Sequence, residues 1–208
     1  MNGDAVITDE DELRKLLGEP AEVVRAKVTD HVNELTRTFI DRSPFVLLAT
    51  SGADGRCDVS PRGDPPGFVR VIDERRLLLP ERPGNRLADS LRNILKNPRV
   101  GLLFVIPGVG DTFRVNGRAQ IVTDPELLAP SAVEGKTPRL GVLIEIDEAF
   151  THCSKAFLRS ELWDPNRHVD RNDLPTSGEI HRSLDPSFDA EAYDAARAER
   201  YARRENFY

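Results

Sequence analysis

The sequence predicts a mainly β protein with flanking helices, its strands forming a closed or partly closed antiparallel barrel. Three observations predict it. Seven short segments are apolar throughout or alternate with period two. Short turns rich in Gly and Asp join most of them. Helical patterning is confined to the N-terminal part, two short intervals between strands, a short helix opening within Thr151 to Phe157, and the C-terminal end.

The elements follow in chain order. Residues 9–42 read as helical: Asp9 caps EDELRKLLG, and Gly18-Glu19-Pro20 stops it. Apolar residues then recur at Val24, Val28, Val32, Leu35 and Phe39, a helical stripe. Pro44 to Thr50 is a continuous apolar run ended by the turn signal Ser51-Gly52-Ala53-Asp54-Gly55. Strands are expected at Arg56 to Pro61, Phe68 to Ile72, Arg76 to Leu79, Arg99 to Ile106, Thr112 to Thr123 and Leu140 to Phe150. Helices are expected at Arg86 to Lys96 and Pro125 to Glu134. Gly108-Val109-Gly110-Asp111 is a hairpin turn, since a dinucleotide fingerprint would have to precede a helix. After Trp163 a polar, Pro-containing stretch reads as an extended loop, and Phe188 to Tyr208 as a terminal helix. At 208 residues the chain suits a single domain, 1–208, with a helical extension at 9–42, a core at 43–163 and a loop and C-terminal helix at 164–208.

Composition narrows the function. A formal charge of −6 argues against general nucleic-acid binding, which needs a basic footprint. No segment approaches the roughly 18 apolar residues that span a bilayer, and the acidic N-terminus is unlike a signal or transit peptide. Two cysteines, Cys57 and Cys153, make no disulfide framework and lack metal-ligand spacing, so a cytoplasmic location without a metal is expected. Of 29 basic residues 24 are Arg, so where the Arg cluster matters more than how many there are.

The richest stretch is Asp58 to Leu95. Its second half leaves a strand at Leu79, passes through Pro80-Glu81-Arg82-Pro83-Gly84 and enters a helix that Asn85 is expected to cap. A helix N-terminus offers unpaired amides and the positive end of the dipole. Arg82 and Arg86 flank it, and Arg62 ends a preceding strand. Three Arg at such a point suit a phosphate dianion. An ordinary capped helix with solvated charges remains the alternative.

Three segments in this order, RCDVSPR (56–62), LLLPERPGNRLADSLRNILKNPRVGLLF (77–104) and FRVNGRAQIV (113–122), resemble the pyridoxamine 5'-phosphate oxidase-like flavoproteins. The likeness covers roughly residues 43–163. It is greatest to a subgroup of FMN-dependent enzymes of unassigned substrate, whose pattern includes HCSKAFLRSELW (152–163). The resemblance implies an FMN-binding split β-barrel and a homodimer that shares two flavin sites. It places Arg62, Asn85 and Arg86, with Arg82, at the FMN phosphate and ribityl chain. Val59, Ser60 and Pro61 would lie along the isoalloxazine, and Leu79 and Pro80 beneath it. Thr112, Arg114 and Asn116 alternate onto one strand face and could serve the flavin from the partner subunit, as could Lys155 or Arg159. A cation near the pyrimidine edge would favour the reduced, anionic flavin.

Other residues carry less. His152 and Cys153 are adjacent in an extended chain and point to opposite faces, so they are not a nucleophile and base; Cys153 reads as a buried structural residue. Phe104, Phe113 and Phe150 read as core, and Trp163 as a packing anchor. His181-Arg182 falls in the expected loop, where a substrate contact is one option. The C-terminal Arg203 to Tyr208 departs from the Trp- and Arg-containing end of the vitamin B6 phosphate oxidases proper, so a vitamin B6 phosphate is not the expected substrate. The reading is an FMN-dependent oxidoreductase acting on a small molecule, with no nucleic-acid or membrane partner. Alternatives are a deazaflavin-dependent reductase on the same scaffold, or a flavin- or haem-binding protein without turnover. No acid–base pair stands out, so the catalytic residue is unknown.

Overall fold

The computed structural model describes residues 6–208. Seven strands form one antiparallel sheet: β1 (Phe45–Ser51), β2 (Cys57–Gly63), β3 (Arg70–Asp73), β4 (Arg76–Pro80), β5 (Arg99–Val105), β6 (Thr112–Val122) and β7 (Gly141–His152). Their order is β2-β1-β5-β6-β7-β4-β3. Every expected strand is present, with ends moved by a residue or two. The sheet is a split barrel whose interior holds Val46, Leu48, Leu102, Phe104, Phe113, Val115, Val142 and Ile144. Phe113 stacks on Phe39 at 5.9 Å and meets Phe104 at 6.2 Å.

The register assigns the two faces of the sheet. Val46 pairs with Arg62 and Phe104, and Leu48 with Ser60 and Leu102. Directly opposed residues share a face, so Ser60 and Arg62 point to the core side. Leu47 pairs with Pro61 and Leu103, and Leu103 with Arg114. Pro61, Val59, Arg114 and Asn116 therefore lie on the outer side. Between β6 and β7 the register slips: Asn116 opposes Glu148, and Gly117 opposes Ile146. Asp147 is the extra residue of this bulge. Glycine is required there, because a Cβ on Gly117 would overlap the Glu145 carbonyl oxygen. Beyond the bulge the alternation of β7 is shifted by one, which turns Phe150 and His152 outward.

The helices are α1 (Glu10–Leu17), α2 (Glu22–Ala26), α3 (Glu34–Arg42), α4 (Asp89–Lys96), α5 (Pro125–Leu128), α6 (Lys155–Ser160), α7 (Ser177–Leu184) and α8 (Ala190–Ala202). The continuous stripe expected from Val24 to Phe39 is broken. No helix covers residues 27–33, and the Thr29 amide and carbonyl pair with Ala149 at 3.1 and 2.7 Å. Asn33 then starts α3 afresh through a reciprocal cap with Thr36. Val32 is buried, whereas Leu35 is 81% exposed. Joining the edge of β7 outweighs a helix through Val28-Thr29, where β-branching makes helix formation weak.

Two further expectations are corrected. The interval after α5 is a single 3₁₀ turn, Ala129–Ser131, so no helix runs to Glu134. The stretch 164–187 is not one extended loop. Thr176 and Glu179 cap α7 reciprocally, and α7 packs on α8 through His181, Phe188 and Tyr193, with ring centroids 5.0–5.3 Å apart. His181 is thus a packing residue, and Arg182 is paired with Glu191 at 2.8 Å. Trp163 anchors as expected: it stacks on Phe157 at 5.6 Å and donates to the Val109 carbonyl at 2.9 Å. Among the described residues no helix is long and apolar enough to cross a membrane, and no group of three or more His, Cys, Asp or Glu could hold a metal ion.

Candidate functional site

Strand β2 runs beside α4, and their inward polar residues form one chain of contacts. The Ser60 hydroxyl lies 3.0 Å from that of Ser90 on α4, and Ser90 donates to Asp58 at 2.9 Å. Asn93 of α4 donates to Thr50 of β1 at 3.0 Å. At the open end of this row Arg62 donates to Ser60 at 3.2 Å and to the Glu81 carboxylate at 2.5 Å. Both members of the Arg62–Glu81 pair are about four-fifths buried, with side-chain exposures of 19% and 22%. Sheet pairing and the polar seam to α4 thus put Ser60, Arg62, Glu81 and Ser90 in one place. Of these, Glu81 and Ser90 are not among the site residues that the sequence singles out. A Glu in a turn and a Ser inside a helix carry no sequence signal of contact.

The link from β4 to α4 differs from expectation. The helix begins at Asp89, not at Arg86, and its N-cap position is Ala88, which has no side chain to cap with. Asn85 instead accepts a hydrogen bond from the Leu87 amide at 3.0 Å, a local turn within the loop. Arg86 and Ala88 are both left-handed, with φ of 64° and 56°. Such conformations are costly for residues with a Cβ and tend to collect at ligand loops. Arg86 and Asn85 are exposed on this loop, and no carboxylate lies within ion-pair distance of Arg86 in the described residues.

Arg82 is engaged elsewhere. Its Nε donates to Asp64 at 2.6 Å, its Nη2 to the Ser131 carbonyl at 2.8 Å, and its guanidinium lies 5.2 Å from the Tyr208 ring. It does not stand beside the α4 N-terminus as a free cation. Leu79 is 1% exposed within the core, so its side chain presents no wall to a ligand; Pro80 is likewise buried at the strand end.

The remaining expected residues lie on the outer face. Val59 is 60% exposed and Pro61 lies beside it. Thr112, Arg114 and Asn116 do share one face, but Thr112 is buried at 3% exposure and presents nothing to a ligand; Asn116 donates to Glu148 at 3.0 Å. Lys155 is exposed at the first turn of α6. Phe150 is not core: it lies outward under the Arg114 guanidinium at 4.4 Å. Cys153 is exposed, not buried. Ser154 occupies the cap position of α6 but makes no capping bond. Within one chain the Ser60–Arg62 group and the Arg114–Asn116 group are separated by the sheet itself.

A family model described as pyridoxamine 5'-phosphate oxidase matches residues 32–153, more than half of the chain. No curated protein matches. Among solved structures, HupZ from Group A Streptococcus aligns with TM-score 0.48 and 18% identity over 58% of this chain and 93% of its own. An FMN-binding protein from Syntrophomonas wolfei aligns with TM-score 0.45 and 9% identity over 69% of this chain and 96% of its own. An F420 reductase aligns with TM-score 0.42 and 20% identity over 58% of this chain and 98% of its own. At these similarities the assignment rests on the family model, whose span begins at Val32 before α3 and ends at Cys153 after β7, and so takes in the whole split barrel. On that match the chain belongs to the pyridoxamine 5'-phosphate oxidase family.

Proposed function

We propose that the protein is an FMN-dependent oxidoreductase that works as a homodimer on a small molecule other than a vitamin B6 phosphate. The observation that carries this is the cluster at the β2–α4 junction: Arg62 and the Ser60 and Ser90 hydroxyls meet at the first turn of α4, and the left-handed loop that leads into that helix bears Asn85 and Arg86. The donor set suits a phosphate dianion: two guanidinium groups, an amide and hydroxyls. Two carboxylates also sit there, Glu81 on Arg62 and Asp58 on Ser90, so a bound phosphate takes Arg62 from Glu81. Arg82 is given a supporting role, holding the adjacent Asp64. The flavin, when bound, supplies hydride or electron-pair chemistry. The chain's own residues bind the phosphate, place the ring and exclude water.

The outer face supports the dimer. Phe45 and Val59 are 37% and 60% exposed, and Leu47, Pro61, Leu103 and Val105 share their side of the sheet. A contiguous apolar sheet face of this kind is a surface that a second copy covers. Covering it would bring Arg114, Asn116 and Lys155 of the partner subunit to the flavin that Val59 and Pro61 flank. Two exposed thiols, Cys57 and Cys153, suit a reducing cytoplasm.

The test is the absorbance spectrum of the purified protein, with release of its chromophore on denaturation and sedimentation of the native form. A yellow dimer that releases FMN is expected. A colourless protein that does not take up added FMN sinks the reading, and a deazaflavin spectrum replaces the cofactor. A monomer that holds FMN tightly removes the shared site.

A further inference from the structure

Lys27, Arg114 and His152 gather around one aromatic ring on the outer face of β6 and β7. Arg114 lies 4.4 Å over the Phe150 ring, and the Lys27 ammonium lies 5.6 Å from its centroid. Lys27 arrives from the segment after α2 and donates to the Thr151 carbonyl at 2.6 Å. The His152 ring is 5.1 Å from Phe150. Register sets His152 opposite Thr112 and Phe150 opposite Arg114. The bulge at Asp147 is what turns His152 and Phe150 to this side.

The cluster lacks a counter-charge. Arg99 and Arg118, on the same two strands as Leu103 and Arg114, are paired with Asp147 at 2.5 and 3.3 Å. In the described residues neither Arg114 nor Lys27 has a carboxylate within ion-pair distance, although the chain is acidic overall. Arg114 Nε is sealed from solvent with no hydrogen-bond partner, while the residue as a whole stays partly exposed. A charged donor left this way costs free energy until a partner meets the group. The charges that act on His152 are Arg114 from β6 and Lys27 from the N-terminal segment. Burial first, then these two cations, hold its imidazole below the ordinary value of 6.5.

We propose that Lys27, Arg114 and His152 form an oxyanion site that takes a carboxylate or phosphate group of a small-molecule ligand. That this group belongs to the substrate of the enzyme rests on the flavin reading above; the binding itself does not. An oxyanion supplies the missing counter-charge to Arg114 and Lys27, and it favours the protonated imidazole.

The experiment follows the C2 proton of His152 by NMR in the full chain, titrating pH at constant ionic strength in sodium chloride, sodium acetate or sodium phosphate. Acetate or phosphate should raise the His152 pKa saturably while chloride does not. Comparing acetate with phosphate names the class of anion. Arg114→Gln and Lys27→Gln should each weaken binding about tenfold, the scale of one charged hydrogen bond, and Arg114→Lys should recover part of it. Lys27 is exposed, so its variant tests the site even where Arg114→Gln does not fold. Responses equal to chloride would mean screening or an adventitious ion only, and overturn the site. So would a response that survives Arg114→Gln, or a pKa already above the ordinary value without added anion, which would place a second copy's carboxylate there. The readout does not need the flavin, so a colourless protein that still binds phosphate overturns the flavin reading alone.

Discussion

The Tyr208 hydroxyl donates to one oxygen of the Asp64 carboxylate at 2.8 Å, 144 residues away in sequence. The other oxygen accepts from Arg82 at 2.6 Å, and the Asp64 side chain is 1% exposed. A buried carboxylate thus ties the C-terminal segment to the turn after β2 and to the loop after β4. The same contact holds the Tyr208 phenol above its ordinary value of 10.0, chiefly through the hydrogen bond to Asp64. Removing the two partners should have unequal effects. Tyr208→Phe should cost about 1 kcal/mol, one hydrogen bond. Asp64→Asn should cost about 3 kcal/mol, because Arg82 then loses its counter-charge in a largely buried site. Urea unfolding of the two variants checks this; equal losses would mean that the phenol, not the ion pair, is the main tie.

Glu81 competes for Arg62. If phosphate takes Arg62 from Glu81, then Glu81→Gln should tighten FMN binding several-fold, since the Gln no longer neutralises the guanidinium. Arg62→Ala and Arg86→Ala should each weaken it by about 1.5–3 kcal/mol. Titration followed by flavin fluorescence measures all three. Weaker binding in Glu81→Gln would show that Glu81 orients Arg62 rather than occupying it.

The left-handed residues before α4 carry a local cost. Ala88 has φ 56° and ψ 30° at the N-cap position. Ala88→Gly should stabilise the protein by about 0.5–1 kcal/mol, the left-handed penalty less the added chain entropy. Thermal melting reads this directly. A destabilised variant would indicate that the Ala88 methyl packs in a way that outweighs the strain.

His152 should leave a signature in the pH dependence of stability. Its folded pKa lies below the ordinary value of 6.5. Between the two values the unfolded chain binds the proton and the folded chain does not, so unfolding takes up protons and stability rises with pH. The contribution is fully present above 6.5, falls as pH drops from 6.5 towards the folded value, and is level below it. His152→Asn should flatten stability across that window, measured by denaturant midpoints at successive pH. A slope unchanged in the variant would assign it to another group.

Part of the candidate site was legible in the sequence. All seven strands appear where alternation and turn signals place them, and within segment 58–95 the sheet brings Arg62 against Ser60. The break at residues 27–33 was not legible, because the pairing of Thr29 with Ala149 is a contact between distant segments. The start of α4 was misplaced because Asn85 is a good cap wherever a helix begins beside it; here its side chain closes a turn in the loop instead. The helix α7 was readable in principle from Thr176 and Glu179, a capping pair three residues apart.

By itself the sequence determined the strand count, the turns, the local charge and the family pattern, all of which depend on neighbours in the chain. Tertiary structure decided which Arg is free. Arg82 and Arg86 are near-identical in sequence terms, yet Asp64 and Tyr208 engage the first while the second stands exposed on a strained loop. It also decided that one extra residue, Asp147, turns Phe150 and His152 to the outer face beside Arg114. The physical reason is the same in both cases. The state of a charge depends on which partner reaches it within a few ångströms, and only the folded register sets that distance.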